Sequence, residues 1–310
     1  LEIILEAVGL TKSFKKHKAV DDLSFAIKRG EVYGFLGQNG AGKSTTIRML
    51  VGLIIPDKGK VFINGTEFIN GRRHLLKNIG AIIERPDMYG YLSGWDNLKM
   101  MAALSNKNIK QQRIYEVLEI VGLKGREKDR VSAYSQGMKQ RMGIAIAMIH
   151  NPDLLILDEP TNGLDPQGIS DMRALILSLS RDHGKTILIS SHLLYEIEQV
   201  ATSMLIIHKG KKLSDGRVSD LLHPDDTLTE VAIAPSEAVT AHLATSAWSA
   251  YLQPANDNAL LFKMNPSLIP SLNKWLVAQG AEVRSIVSKH SFESYFLNIT
   301  NDTAAKNRTL

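Results

Sequence analysis

Four short stretches carry side chains whose types and spacing suit chemistry on a phosphate. Gly37-Gln38-Asn39-Gly40-Ala41-Gly42-Lys43-Ser44 fits G-x-x-x-x-G-K-[ST]. Glycines at that spacing let the backbone curl until its N–H groups point at phosphate oxygens, and a helix opening beside Ser44 adds the partial positive charge of its first turn. Lys43 then reaches the β- and γ-phosphates and Ser44 a magnesium ion, so Gly37, Asn39, Gly40, Ala41, Gly42, Lys43, Ser44 and Thr45 are predicted to bind a nucleotide. The run LLILDE places Asp158 at the end of an apolar strand, as a magnesium-side carboxylate, and Glu159 next to it, as a general base for an attacking water. TILIS leads to His192, whose imidazole can hydrogen-bond the terminal phosphate. In YSQGM, Ser135 is a favoured helix N-cap and Gly137 leaves first-turn N–H groups open to a phosphate. Taken singly, these are solvated carboxylates, a surface histidine and a capped helix; the glycine-rich loop gives them a common purpose.

Elements must bring them together. EVYGFLG reads as a strand running into the loop, and TTIRMLVGLI as the helix after it. LLILD, a helix near 167–181 ended by Gly184, TILIS, a helix near 193–201 and MLIIHKG alternate as strand and helix, which argues a mainly parallel α/β sheet. ILEAVGLTKSF and AVDDLSFAI form two strands around a basic turn at Lys15–Lys18, and KVFING is a strand with an Asn-Gly turn. Residues 93–150 are mostly helical, opening with a capping box of Ser93 and Asp96. Near position 220 the texture changes. His223-Pro224-Asp225-Asp226 reads as a linker. Strands TEVAIAP, WSAYLQP, LLFKM and AEVRSIV then interleave with helices SEAVTAHLATSA and PSLIPSLNKWLVAQG, and a last helix, FESYFLNIT, follows. That β-α-β-β-α-β order is ferredoxin-like. The expected fold class is α/β, with a P-loop domain over 1–220, a helical subdomain about 85–150 within it, and a small α+β domain over 221–310.

Composition narrows the classes. The 310 residues are 44% hydrophobic and 22% charged, a globular composition. With no cysteine there is no disulfide, Cys-ligated zinc or iron–sulfur cluster, which fits a reducing cytoplasm. The first residues do not resemble a signal peptide, and no window approaches 18 uncharged apolar residues. The net charge is +5, yet eight Asp and Glu stand against six Lys and Arg after position 220, so the basic excess belongs to the first part. A basic body suits a polyphosphate ligand, an anionic membrane surface or nucleic acid.

The motif order (glycine-rich loop, helical insert, Ser-x-Gly helix start, Asp-Glu strand, Asn162-Gly163-Leu164-Asp165, Ser-His) resembles the nucleotide-binding subunit of ABC transporters over about residues 3–215. The resemblance implies an ATP hydrolase with Mg²⁺. It implies Phe14 as the aromatic that stacks on adenine, where the family more often has Tyr, though Phe14 also reads as a core aromatic. It puts Glu84 of IGAIIERP where the family usually has Gln, in a loop touching both the metal and the membrane partner. Asp165 falls in a loop that crosses a dimer interface, and with Pro166 after it Asp165 also reads as a helix cap. YSQGM stands where LSGGQ is usual, keeping Ser135 and Gly137; in the family that helix start binds the γ-phosphate held by the other subunit, with two ATP between two head-to-tail copies. The variant signature and the extra C-terminal domain are most similar to drug-export ATPases of the bacitracin-resistance and lantibiotic-immunity type, in which a separate permease spans the membrane. A cytoplasmic location, peripheral on the inner face of the cell membrane, follows from that resemblance. The competing reading is a soluble ABC-type ATPase acting on nucleic acid or ribosomes. Its support is the basic body; one cassette and no heptad insert oppose it, so no nucleic-acid partner is expected. A P-loop kinase or GTPase has no use for the Ser-x-Gly helix start, and no N-K-x-D guanine-reading sequence is present.

Overall fold

The computed structural model describes residues 2–15, 17–69, 73–84, 88–105, 108–222, 225, 227–234, 237–254 and 259–289. Two long antiparallel strands open the chain, β1 (Ile3–Phe14) and β2 (His17–Lys28), with Phe14 opposite His17 at their turn. β3 (Val32–Leu36) is buried along its whole length and leads through the glycine-rich loop into α1 (Lys43–Leu50). β4 (Lys58–Ile63) and β5 (Thr66–Glu67) turn at Asn64 and Gly65, whose φ values of 47° and 71° give the left-handed pair a tight hairpin needs. These strands make a sheet ordered β2-β1-β4-β5.

β6 (Ile79–Ile82) precedes a helical insert of α2 (Gly94–Leu104), α3 (Gln111–Ile120) and α4 (Gln136–Met148). Ser93 caps α2 by accepting from the Asp96 amide at 3.1 Å. β7 (Leu154–Asp158), α5 (Pro166–Arg181), β8 (Thr186–Ser191), α6 (Leu194–Val200) and β9 (Ser203–His208) follow, then β10 (Lys211–Arg217). The second sheet runs β10-β9-β3-β8-β7-β6, and every pair in it is parallel except β10 with β9. β3, β7 and β8 are buried at every position and mostly apolar, as strands covered on both faces require. Phe25 and Phe35, with ring centroids 5.7 Å apart, join the two sheets in one core with Ile47, Leu154 and Leu205. β10 was not expected from the sequence; Lys209 and Gly210, at φ 47° and 79°, turn the chain back and pair it with β9.

Contacts divide the chain into Leu1–Arg217 and Val218–Leu310. The second unit holds α7 (Val218–Leu221), β11 (Leu228–Ile233), α8 (Glu237–Thr245), β12 (Leu252–Gln253), β13 (Leu260–Lys263), α9 (Ile269–Ala278) and β14 (Val283–Lys289). Its sheet is ordered β12-β13-β11-β14, antiparallel at every pair, which is the split β-α-β arrangement. Val231, Leu243, Phe262, Leu272 and Leu276 form its own core. The strand expected over WSAYLQP starts only at Leu252. Ser246 accepts from the Trp248 amide at 3.1 Å and winds Ala247–Tyr251 into a 3₁₀ turn instead. The helix expected at FESYFLNIT and most of the expected linker lie outside the described residues. No helix among the described residues is long and apolar enough to cross a membrane.

Candidate active site

Parallel register brings three strand ends side by side. Leu36 of β3 lies opposite Ser191 of β8, and Asp158 of β7 opposite Ser190. The next residues, Gly37, Glu159 and His192, therefore leave the sheet at one edge, where open α/β sheets bind ligands. The Gly37 amide donates to the Ser191 carbonyl at 3.3 Å and ties the loop to that edge.

The glycines are needed for the loop's path. Gly42 has φ 107°, and a Cβ there would sit 2.4 Å from the Ala19 carbonyl oxygen; one on Gly37 would sit 2.8 Å from that of Ile207. Gly40, at φ 80°, faces open space. Asn39 is exposed, Ala41 buried, and Ser44 and Thr45 half-buried at the start of α1. Lys43 is only 6% exposed. Its ammonium donates to the Gly37 carbonyl at 2.6 Å and lies 3.1 Å from Glu159 Oε1, so the buried cation is held by its own loop and by a carboxylate.

Glu159 is the centre of the cluster. Its second oxygen, Oε2, is 2.8 Å from His192 Nδ1. Its backbone sits at φ 50°, a left-handed conformation unusual for a residue with a side chain, and its amide donates to Ser190 Oγ at 2.9 Å. Ser190 Oγ in turn donates to Asp158 Oδ1 at 2.6 Å, and Asp158 is 2% exposed. One hydroxyl thus orients both acids.

Ser44, Glu84, Gln136, Gln140, Asp158, Glu159, Asn162 and Gly163 line a 260 Å³ cavity beside this cluster. Glu84 reaches its rim with a left-handed backbone (φ 64°), and its carboxylate is bound to the Arg48 guanidinium of α1. Gln140 is 4% exposed. Ser135, Gly137 and Asp165 line a second cavity, of 600 Å³, that shares only Gln136 and Gly163 with the first. Ser135 caps α4, accepting from the Met138 amide at 3.3 Å, and Asp165 caps α5, accepting from Gly168 at 2.9 Å. The cap reading of Asp165 is therefore met. Phe14 stands 46% exposed at the end of β1 with the Lys12 ammonium 5.8 Å from its ring centre, so it is not a core aromatic.

A family model described as "ABC transporter" matches residues 20–162. The ABC transporter ATP-binding protein YhcH of Bacillus subtilis (strain 168) is 40% identical over 305 residues, 98% of each chain. The chain belongs to the ABC transporter ATP-binding family. This ABC cassette is accordingly an ATP-binding, ATP-hydrolysing subunit, with the α/β architecture described above. The bacitracin transport ATP-binding protein BcrA of Bacillus licheniformis is 41% identical over 300 residues, covering 96% of this chain and 98% of that one. Among solved structures, an ATP-binding subunit of an ABC transporter superposes with a TM-score of 0.62 at 31% identity, over 70% of this chain and 91% of the other.

Four polar side chains at or beside the cluster were given no role from the sequence. Ser190, in TILISS, and Gln140, in α4, are buried polar side chains within mostly apolar stretches. Thr161 and Glu196 carry no local signal for each other, because they lie 35 residues apart, one in the loop after β7 and the other on α6.

Proposed function

We propose that this cassette powers export through a separate membrane permease, and that two copies close head to tail on two ATP. One arrangement carries the chemical part of this reading: Glu159 held between Lys43 and His192 beside Ser44 and Asp158. Lys43, freed from Glu159 by incoming phosphate oxygens, binds the β- and γ-phosphates together with the loop amides. Glu159 takes a proton from the attacking water, the water oxygen bonds to the γ-phosphorus, and the bond to the ADP oxygen breaks in line. His192 donates a hydrogen bond to the γ-phosphate.

A hydroxyl and a carboxylate on one cavity wall, both hard oxygen donors, suit Mg²⁺, which is commonly held by one or two carboxylates plus substrate phosphates and water. In this reading Ser44 would ligate the ion and Asp158 would hold it through water, and the ion would supply positive charge against the phosphate oxygens. Glu84, engaged by Arg48, lies at the rim as a third candidate. Phe14 offers an exposed face to adenine. Ser135, Gly137 and Asp165, set in a cavity of their own, meet the nucleotide of the second copy. The permease docks near Glu84 and the 85–100 segment, which would place the cassette on the inner face of the cell membrane. The match to BcrA along nearly the whole chain supports an antibiotic or peptide as cargo.

Glu159→Gln tests the chemistry. ATP binding should persist while turnover falls by about 10²- to 10⁴-fold, and an ATP-bound dimer should accumulate on size exclusion. Turnover at the parent rate would remove Glu159 as the base. Expression with a permease in a sensitive host should raise tolerance to bacitracin or a lantibiotic; salt-sensitive RNA binding with no permease partner would point to the nucleic-acid reading instead.

A further inference from the structure

We infer that Glu196 is a positioning residue for ATP hydrolysis, acting through Thr161 to hold the loop after Glu159 against the loop that carries His192. One carboxylate oxygen, Glu196 Oε2, accepts from Thr161 Oγ1 at 2.8 Å and from Ser191 Oγ at 2.7 Å. Ser191 Oγ also accepts from the Leu193 amide at 3.0 Å, so the hydroxyl is used in both directions. Thr161 and Ser191 are both buried, and a buried hydroxyl without an acceptor is costly. The acceptor is supplied by α6, an element that contributes nothing else to the site.

The consequence lies in what Thr161 controls. The chain turns tightly here, with the Asn162 amide donating to the Glu159 carbonyl at 3.1 Å and the Leu164 amide to the Thr161 carbonyl at 3.2 Å. Thr161 therefore sits between the strained backbone of Glu159 and the Asn162–Asp165 loop. Ser190 fastens the near side of this turn, through the Glu159 amide and Asp158. Neighbouring side chains on a strand point to opposite faces, so Ser191 fastens the far side through Glu196. Charge-assisted hydrogen bonds are roughly twice as strong as neutral ones, which favours a carboxylate over a second hydroxyl in this place. Glu196 lines neither of the two cavities at the site; it keeps Glu159 and His192 at the spacing seen as 2.8 Å.

The inference rests on Glu159 and His192 serving hydrolysis as proposed above. In the full-length protein, Glu196→Ala should lower kcat by about ten- to a hundredfold, as a misplaced catalytic group does, with KM and ATP affinity within about twofold of the parent. Glu196→Gln keeps an acceptor oxygen for both hydroxyls and should recover most of the rate. Thr161→Val should reproduce the Glu196→Ala loss, and the double variant should be no slower than either single. Parental kcat in Glu196→Ala, or losses that multiply in the double variant, would overturn it. If Glu196→Ala fails to fold, Thr161→Val and Glu196→Gln decide: parental kcat in Thr161→Val, or no activity in a folded Glu196→Gln, sinks the inference. Glu159→Gln run in parallel keeps the two readings apart, since unchanged turnover there refutes the base and not the clasp.

Discussion

Gly137 lies in a cavity that Lys43 and Ser44 of the same chain do not line. A Cβ added there meets nothing within 4 Å, and Gly137 is within the first turn of α4. Its substitution therefore has no cost from packing within the chain, and leaving glycine should slightly favour the helix. Gly137→Val should keep the parent's melting temperature and monomer ATP affinity while hydrolysis falls to a few per cent or less of the parent rate, about the loss expected when a phosphate contact is blocked. ATPase assays across protein concentration would show it: the parent's specific activity rises as dimers form, and the variant's stays flat. A variant with parental hydrolysis would reduce YSQGM to a helix start. Lys43, Ser44, Asp158, Glu159 and His192 were legible in the sequence because each directly follows an apolar strand or lies in a spaced glycine loop. Glu196 was not, because on its own short helix it reads as one more solvated acid. Glu84 was legible in position only; its partner Arg48 is 36 residues away in the chain, on another element.

A part-buried hydrogen bond joins β3 to β10. Tyr33, 2% exposed, donates its phenol proton to Asp215 Oδ1 at 2.7 Å. Burial, reinforced by the neighbouring Asp215 charge, pushes the Tyr33 phenol far above the ordinary tyrosine range. The folded protein thus holds a proton that the unfolded chain gives up near pH 10. Stability from this group is complete below about pH 10 and declines as the pH rises beyond it, because the unfolded state then binds fewer protons. Tyr33→Phe should cost about 1–3 kcal/mol at pH 8, since Asp215 loses a donor. That gap should shrink by about 1.4 kcal/mol for each pH unit above 10, as the parent alone carries the penalty. Urea unfolding of both proteins from pH 8 to 11 would measure it; a constant gap would mean that the phenol ionises freely in the folded state. The partner strand explains a gap in the sequence reading. KKLSDGR has the charge and glycine of a loop, and it becomes β10 only because β9 offers a free edge. The strands β3, β7 and β8 needed no such help, being buried along their whole length and built mostly of apolar residues.

At the scale of the molecule, the two units have separate cores, one around Phe35, Ile47 and Leu205 and one around Val231, Phe262 and Leu276. If each core suffices, a fragment ending at Arg217 should unfold cooperatively and bind ATP as the full chain does. The position of the cut is decided by β10. A fragment ending at Gly210 removes Asp215, the charged acceptor of the Tyr33 hydroxyl, a loss of about 1.5–3 kcal/mol. It also removes the Lys212 ammonium, which donates to the Ser24 carbonyl at 2.8 Å and links β10 to β2. The shorter fragment should therefore melt at least several degrees below the longer one, given about 2–4 °C per kcal/mol for a chain of this size. ATP affinity at low temperature should be similar in both, because the glycine-rich loop, Asp158, Glu159 and His192 remain. Calorimetry and nucleotide titration on the two fragments and the full chain would separate the cases. Equal melting temperatures would show that β10 adds nothing to the first unit, and a fragment ending at Arg217 that aggregates or binds no ATP would show that the first unit depends on residues beyond Arg217.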